Sequence, residues 1–292
     1  MLKFALLLAI GMLVGGRAAS AACTAIGGAA QIWSNKQVHW VFIGEVHGSN
    51  EAPEVFLDLV CDSLAHHKIV TVALERPTSE QKLLTRLLSA KDLSTAEMTL
   101  LEGPGWKNGM DGRASKAMLK LLLSLRKLRT THPGLNVFAF STPSKSGDLP
   151  GKRDEAMGQA LLAFGKSHPK ALILILTGNV HAMQSPMFGY DPAAMFIPPT
   201  ERLSLEVTDT GGETWVDSSG GCGPSTGGAE ERGRAHPRGI YLEPHLAPYG
   251  KVDGILALGV PLTASQPADG DPHPLPECRK RFLSDHSANS DK

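Results

Sequence analysis

"ALILILTGNVHA" (171–182) is the stretch whose reading decides the fold. Its first seven residues carry one polar side chain, Thr177, and the run is too short for a membrane-spanning helix. A continuous apolar run of this length is what a strand buried on both faces of a parallel sheet requires. The run stops at Gly178 and presents His181 three residues later. "VFIGEVHG" (41–48) repeats that grammar, with an apolar run, Gly44 and then His47. Little else repeats, so the echo points to two strands delivering histidines to one place rather than to a duplicated domain.

Working outward, apolar runs alternate with helical patterns. Residues 38–43 read as a strand and 51–67 as a helix with Val55, Leu59 and Leu64 on one face. Residues 69–74 form a second buried strand. Thr78 to Gln81 and Ser94 to Glu97 have capping-box spacing and are expected to open two helices. A long helix is expected over 114–130, a third strand over 136–141, and a helix over 153–168. Strand and helix in alternation imply right-handed crossovers and an α/β fold, with a mostly parallel central sheet flanked by helices. Residues 203–207 and 213–216 are read as an edge hairpin, 218–239 as a Gly-rich loop, and 254–260 as a last strand. Together these give the sheet an antiparallel C-terminal edge extension.

The first 22 residues have the pattern of a secretory signal: Lys3, an apolar stretch from Phe4 to Val14, and small residues ending at Ala22. Export, periplasmic or secreted, is the expectation, with no transmembrane anchor in the mature chain. Lipidation at Cys23 is the rival reading. A single domain is expected over 23–262, followed by a Pro-rich tail over 263–292. Four cysteines without metal-ligand spacing suggest disulfides, and Cys23–Cys61 with Cys222–Cys278 is the favoured pairing.

Lys+Arg and Asp+Glu both total 29, and no basic block is interleaved with aromatics, so nucleic acid is excluded as a partner. A small molecule or a peptide is the expected substrate.

In open parallel sheets, ligands bind beyond the carboxyl ends of the strands. Glu45 and His47, Glu75 and Arg76, Arg153 and Asp154, and Asn179 and His181 all fall at or beyond such ends. A carboxylate beside an imidazole suits general-base work, and two histidines with Glu75 would also suit a divalent metal. Glu75 either pairs with an arginine or acts in the site, and Asp154 either serves a helix N-terminus or joins the site. In "GMDGRASKAM" (109–118), Asp111 makes a turn, Arg113 is placed to clamp a carboxylate or phosphate or to pair with Glu75, and Ser115 caps or binds. Trp106 covers a pocket or plugs one. No serine on a strand-to-helix G-x-S-x-G turn accompanies these motifs, so activated water is the expected nucleophile.

"IGEVHGSNEAPEVF" (43–56), "VALERP" (72–77), "RDEAM" (153–157) and "LTGNVHA" (176–182), in that order, resemble the superfamily uniting erythromycin esterases, ChaN-like haem-binding proteins and Tiki/TraB proteins. The resemblance spans about half the chain. It implies a site built on His47, Glu75 and His181, with Glu45, Arg153 and Asp154 in support. By the esterase branch, the histidine of the first motif is a base that activates water. By the Tiki branch, His47, Glu75 and His181 lie at a divalent metal. By the ChaN-like branch the ligand is haem, with Tyr190 or Tyr241 as a possible axial partner. A hydrolase acting on an ester or amide is the leading expectation, and haem or metal binding without turnover is the alternative.

Overall fold

The computed structural model describes residues 23–107, 111–142, 149, 151–218, 221–226, 236–248 and 251–269. The expected signal segment and the end of the tail lie outside the described residues. Seven strands form one sheet: β1 (Trp40–Glu45), β2 (Val70–Pro77), β3 (Leu135–Ser141), β4 (Leu172–Gly178), β5 (Arg202–Thr208), β8 (Gly239–Tyr241) and β9 (Gly254–Ala257). Their order is β3-β2-β4-β1-β5-β9-β8. Every neighbouring pair is parallel except β8 with β9. The α/β reading holds, antiparallel edge included.

The helices are α1 (Ala30–Ser34), α2 (Glu51–His66), α3 (Gln81–Ser89), α4 (Leu93–Leu101), α5 (Pro104–Lys107), α6 (Lys116–Arg129), α7 (Lys152–Ser167) and α8 (Asn179–Ala182). Strand periodicity assigns them to layers. Val41, Ile43, Val72, Leu74, Leu174 and Leu176 face a core shared with α2, α3, α4 and α6. Phe42, Ala73, Ile173 and Ile175 face a second core with Met157 and Leu161 of α7. The central strands are apolar at consecutive positions because both faces are covered.

The edge hairpin expected from 203–216 does not form. β5 lies inside the sheet between β1 and β9, and its residues are buried on both faces. At Gly211 and Gly212 the backbone takes φ of 109° and 101° and turns out of the sheet. The following strand, β6 (Thr214–Ser218), instead pairs antiparallel with β7 (Gly221–Ser225), which comes from the supposed loop.

Both expected capping boxes also give way. A single 3-10 turn precedes α3, and Gln81, rather than closing the box, turns to β3, donating to the Val137 carbonyl at 3.1 Å and accepting the Ala139 N–H at 2.8 Å. Asp92, not Ser94, caps α4 by accepting from the Thr95 N–H at 2.8 Å.

Cys23 and Cys61 are bridged, which ties the chain ahead of α1 to α2. The expected partner of Cys222, Cys278, lies outside the described residues, and no described cysteine is free. Residues 263–268 fall in the expected Pro-rich tail, yet Ser265 and Ala268 are buried against the domain. This segment runs along the loops after β1 and before α6. The Ser265 N–H donates to the Gly48 carbonyl, and the Ala268 N–H to that of Ala114. Among the described residues no helix is long and apolar enough to cross a membrane.

Candidate active site at the strand ends

β1, β2 and β4 are adjacent and parallel, so their carboxyl ends share one rim. Register sets Glu45 opposite Gly178. A Cβ on Gly178 would stand 3.3 Å from His47 Nε2, so glycine here admits the imidazole to the end of β4.

Glu75 is the hub. Its side chain is 3% exposed. Oε1 accepts from Arg153 Nη2 at 2.5 Å and Arg113 Nη1 at 2.7 Å. Oε2 accepts from Thr177 Oγ1 at 2.8 Å, the Gly178 N–H at 2.9 Å and His47 Nε2 at 3.2 Å. Burial alone would raise this carboxyl. His47 above all, with His181 and Arg153, outweighs burial and holds it well below the usual carboxylate range.

The histidines differ in kind. His47 lies between two carboxylates, with Nδ1 3.0 Å from Glu45 Oε1 and Nε2 3.2 Å from Glu75 Oε2. Ionised carboxylates only accept, so both ring nitrogens carry protons. Burial would lower the His47 pKa, but Glu75 and Glu45 prevail and push it up to about 10. A quarter of its side chain (25%) still reaches solvent. At neutral pH His47 is an imidazolium with no lone pair to offer, which counts against the base role expected for it.

His181 is arranged otherwise. Its Nδ1 is 2.6 Å from Asp154 Oδ1, and its Nε2 is 3.0 Å from Arg153 Nη1. A guanidinium only donates, so Nε2 accepts and the ring proton sits on Nδ1, directed at Asp154. Asp154 also accepts the Ala193 N–H at 3.0 Å, which fixes the carboxylate. Asp154 therefore belongs to the site network as the orienter of His181.

Arg113 is steadied by Asp111, which accepts from its backbone N–H at 2.9 Å and from Nη2 at 2.6 Å. Asp111 and Glu75 overcome burial and raise the guanidinium pKa further. Gly112 packs directly on Gly48, where an added Cβ would lie 2.1 Å from the Gly48 nitrogen. This glycine-to-glycine contact sets the distance between the His47 and Arg113 loops.

Four expected residues stand elsewhere. Arg76, next to Glu75 in sequence, points away from the rim. It pairs with Glu80 at 2.7 Å and lies 4.5 Å from the ring centre of Trp106. Trp106 is fully buried, so it plugs the interior rather than covering the site. Ser115 caps α6 by accepting the Met118 N–H and does not reach Glu75. Asn179 opens α8 and lies over Gly44, where an added Cβ would be 3.0 Å from its Oδ1, without bonding to the hub.

Two side chains passed over in the sequence do join the network: Thr177, and Ser141, which accepts from Arg153 Nη2 at 3.1 Å. Each is the first polar residue after an apolar run, which is the signal that would have found it. Gly223-Pro224-Ser225-Thr226-Gly227 spells G-x-S-x-G without forming a strand-to-helix turn. Its serine ends β7, opposite Thr214 in an antiparallel pair, so there is no strand-to-helix elbow.

The residues do not fit a divalent metal. Metal ligands must be deprotonated, whereas His47 carries both its protons. Both Glu75 oxygens and both His181 ring nitrogens are already bonded, and two guanidiniums occupy the space beside Oε1. Among the described residues no cluster of three or more histidine, cysteine or acidic side chains is arranged to hold one. Haem fares no better at His181. Tyr241, the other proposed ligand, belongs to β8 at the far edge of the sheet and donates to the Pro237 carbonyl.

No family model and no curated protein matches the chain. Solved structures do. A succinoglycan biosynthesis protein superposes with a TM-score of 0.63 at 9% identity, covering 79% of this chain and 90% of its own. An erythromycin esterase mutant in its open conformation superposes with a TM-score of 0.57 at 10% identity, covering 80% and 92%. At these identities the likeness is one of fold.

Proposed function

We propose that the chain is an exported hydrolase that cleaves an ester or amide with activated water, using its two motif histidines in opposite protonation states. The observation that carries this reading is the pairing of a His181 bonded to Asp154 and Arg153 with a His47 held between Glu45 and Glu75, on either side of the Glu75 carboxylate. One histidine then presents an acceptor nitrogen and the other a donor, as a base and an acid require. The fold shared with an erythromycin esterase agrees with the reading, and the Cys23–Cys61 bridge agrees with an oxidising compartment.

In this scheme the substrate carbonyl oxygen takes N–H bonds from Arg113 and Arg153. Drawing Arg153 onto the carbonyl uncovers His181 Nε2. That nitrogen removes a proton from water as the water oxygen bonds to the carbonyl carbon, and negative charge develops between the arginines. Collapse breaks the bond to the leaving oxygen or nitrogen, which receives a proton from His47. Acid and alcohol or amine depart, and the proton held by His181 passes through solvent to His47, restoring the resting state. The roles differ from the sequence expectation, in which His47 was the base.

The test is a panel of p-nitrophenyl esters and dipeptide amides offered to the wild type, Asp154→Asn and His181→Ala. Hydrolysis of at least one member, reduced about 100-fold or more in both variants, is the expected result. No turnover by the wild type, or equal turnover by His181→Ala, overturns the proposal.

A further inference from the structure

Residues 187–190 make a tight turn beside the site. The Met187 N–H donates to the Tyr190 carbonyl at 2.9 Å, and the Tyr190 N–H to that of Met187 at 3.1 Å. Both central residues have positive φ, 53° at Phe188 and 83° at Gly189. Turns of this form prefer Asn-Gly or Asp-Gly, because an aromatic side chain is strained in the left-handed region. Phe188 is the only non-glycine residue with positive φ among those described, and at 73% exposure it is also the most exposed large apolar side chain. Strain held without burial brings folding no return, so its use is sought in binding.

Continuity with the site names that use. The Tyr190 ring stacks against Gly151, where an added Cβ would lie 2.5 Å from the tyrosine Cβ. Gly151 caps α7, the helix whose first turn carries Arg153 and Asp154. The charges of both residues act on the Tyr190 hydroxyl. Phe188 lies 6.5 Å beyond Tyr190, ring centre to ring centre, so an aromatic surface begins where the charged site ends. Leu149, whose carbonyl accepts the Lys152 N–H, exposes a further apolar side chain next to the same helix start. Even if all were fully exposed, Phe188, Leu149 and the half-buried Tyr190 would offer at most about 600 Å², below the about 800 Å² per partner of a stable protein interface. The patch suits part of a small substrate better than a second copy of the chain.

We propose that the Phe188 turn is the specificity ledge of this site, receiving an apolar acyl or aromatic group while the polar part of the same substrate lies between Arg113 and Arg153. The inference rests on the hydrolase reading for the chemistry, but the ledge has a consequence that does not depend on turnover. Carboxylates of rising chain length, from butyrate to octanoate, are the probes, with binding followed by NMR titration. Wild-type affinity is expected to rise about twofold per added methylene, half the effect of full burial. Phe188→Asn, which fits the turn better and keeps or raises the melting temperature, is expected to flatten that rise, and Phe188→Leu to retain it. The same chain-length dependence is expected in kcat/KM for p-nitrophenyl esters.

If no ester is cleaved but the carboxylate series still flattens in Phe188→Asn, the hydrolase reading falls and the ledge stands. If the series is equally steep in the wild type and Phe188→Asn, or if no carboxylate binds, the ledge is overturned whatever the esters do.

Discussion

The segments Gly44-Glu-Val-His47 and Gly178-Asn-Val-His181 leave neighbouring parallel strands with almost the same sequence, yet they yield two different histidines. His47 meets a carboxylate on each nitrogen, and its pKa is pushed up to about 10. His181 meets Asp154 on one side and the Arg153 guanidinium on the other, an arrangement that leaves Nε2 an acceptor. One local grammar thus produces two different hydrogen-bonding environments because α7 approaches only the second histidine. Chemistry at this rim is set by the neighbours the fold supplies.

The sharpest way to break the contrast is to remove what both sides share. Glu75→Gln leaves Arg113, Arg153 and the His47 imidazolium without their common counter-charge. Loss of one partner from a buried ion pair costs about 3–5 kcal/mol. Chemical denaturation is expected to show a loss of that size, with the His47 pKa, followed by NMR, falling from about 10 toward its ordinary value. A variant as stable as wild type would remove Glu75 from the centre of the network.

Asp154→Asn acts on one side only. The carboxamide can donate to His181 Nδ1, moving the ring proton to Nε2 and leaving no acceptor toward the substrate. Turnover is expected to fall by about 10²–10⁴ with the His47 titration unmoved. Equal perturbation of the two histidines would show that they form a single unit.

Gly112→Ala tests the spacing of the His47 and Arg113 loops, because its Cβ would meet the Gly48 backbone at 2.1 Å. A displacement of the order of 1 Å costs about 100-fold in rate, so kcat is expected to fall by that factor while α6 stays folded by circular dichroism. Full activity would mean that the two loops are not held in register by this contact.

The remaining effect is in pH. The folded pKa of His47 is raised from 6.5 to about 10, so its contribution to stability is complete below 6.5 and is lost as pH rises through 10. Melting temperatures are expected to decline across that window in the wild type and to decline less in His47→Gln. Glu75 has the opposite sign: its contribution is present above the ordinary carboxylate range and is lost only in stronger acid.

Much of this was legible in the chain itself. Uninterrupted apolar runs such as 171–177 can only be strands covered on both faces, and each glycine after a run marked where a strand ends. Those two facts placed Glu45, His47 and His181 on one rim, and Glu75 followed as the polar residue ending the apolar run 70–74. Local patterns failed where a stronger long-range partner competed. Gln81 left its capping role for the β3 backbone, and β6 left β5 for β7 once Gly211 and Gly212 turned the chain out of the sheet.

The sequence by itself determined which residues reach the rim, because strand periodicity and glycine breaks are local properties. Only the tertiary structure decided that Arg113 reaches Glu75 while Arg76 turns away. It also decided that Asp154 serves His181 rather than its own helix, and that two like motifs meet different hydrogen-bond partners. Protonation follows from which charges stand within a few ångströms, and those come from segments remote in sequence.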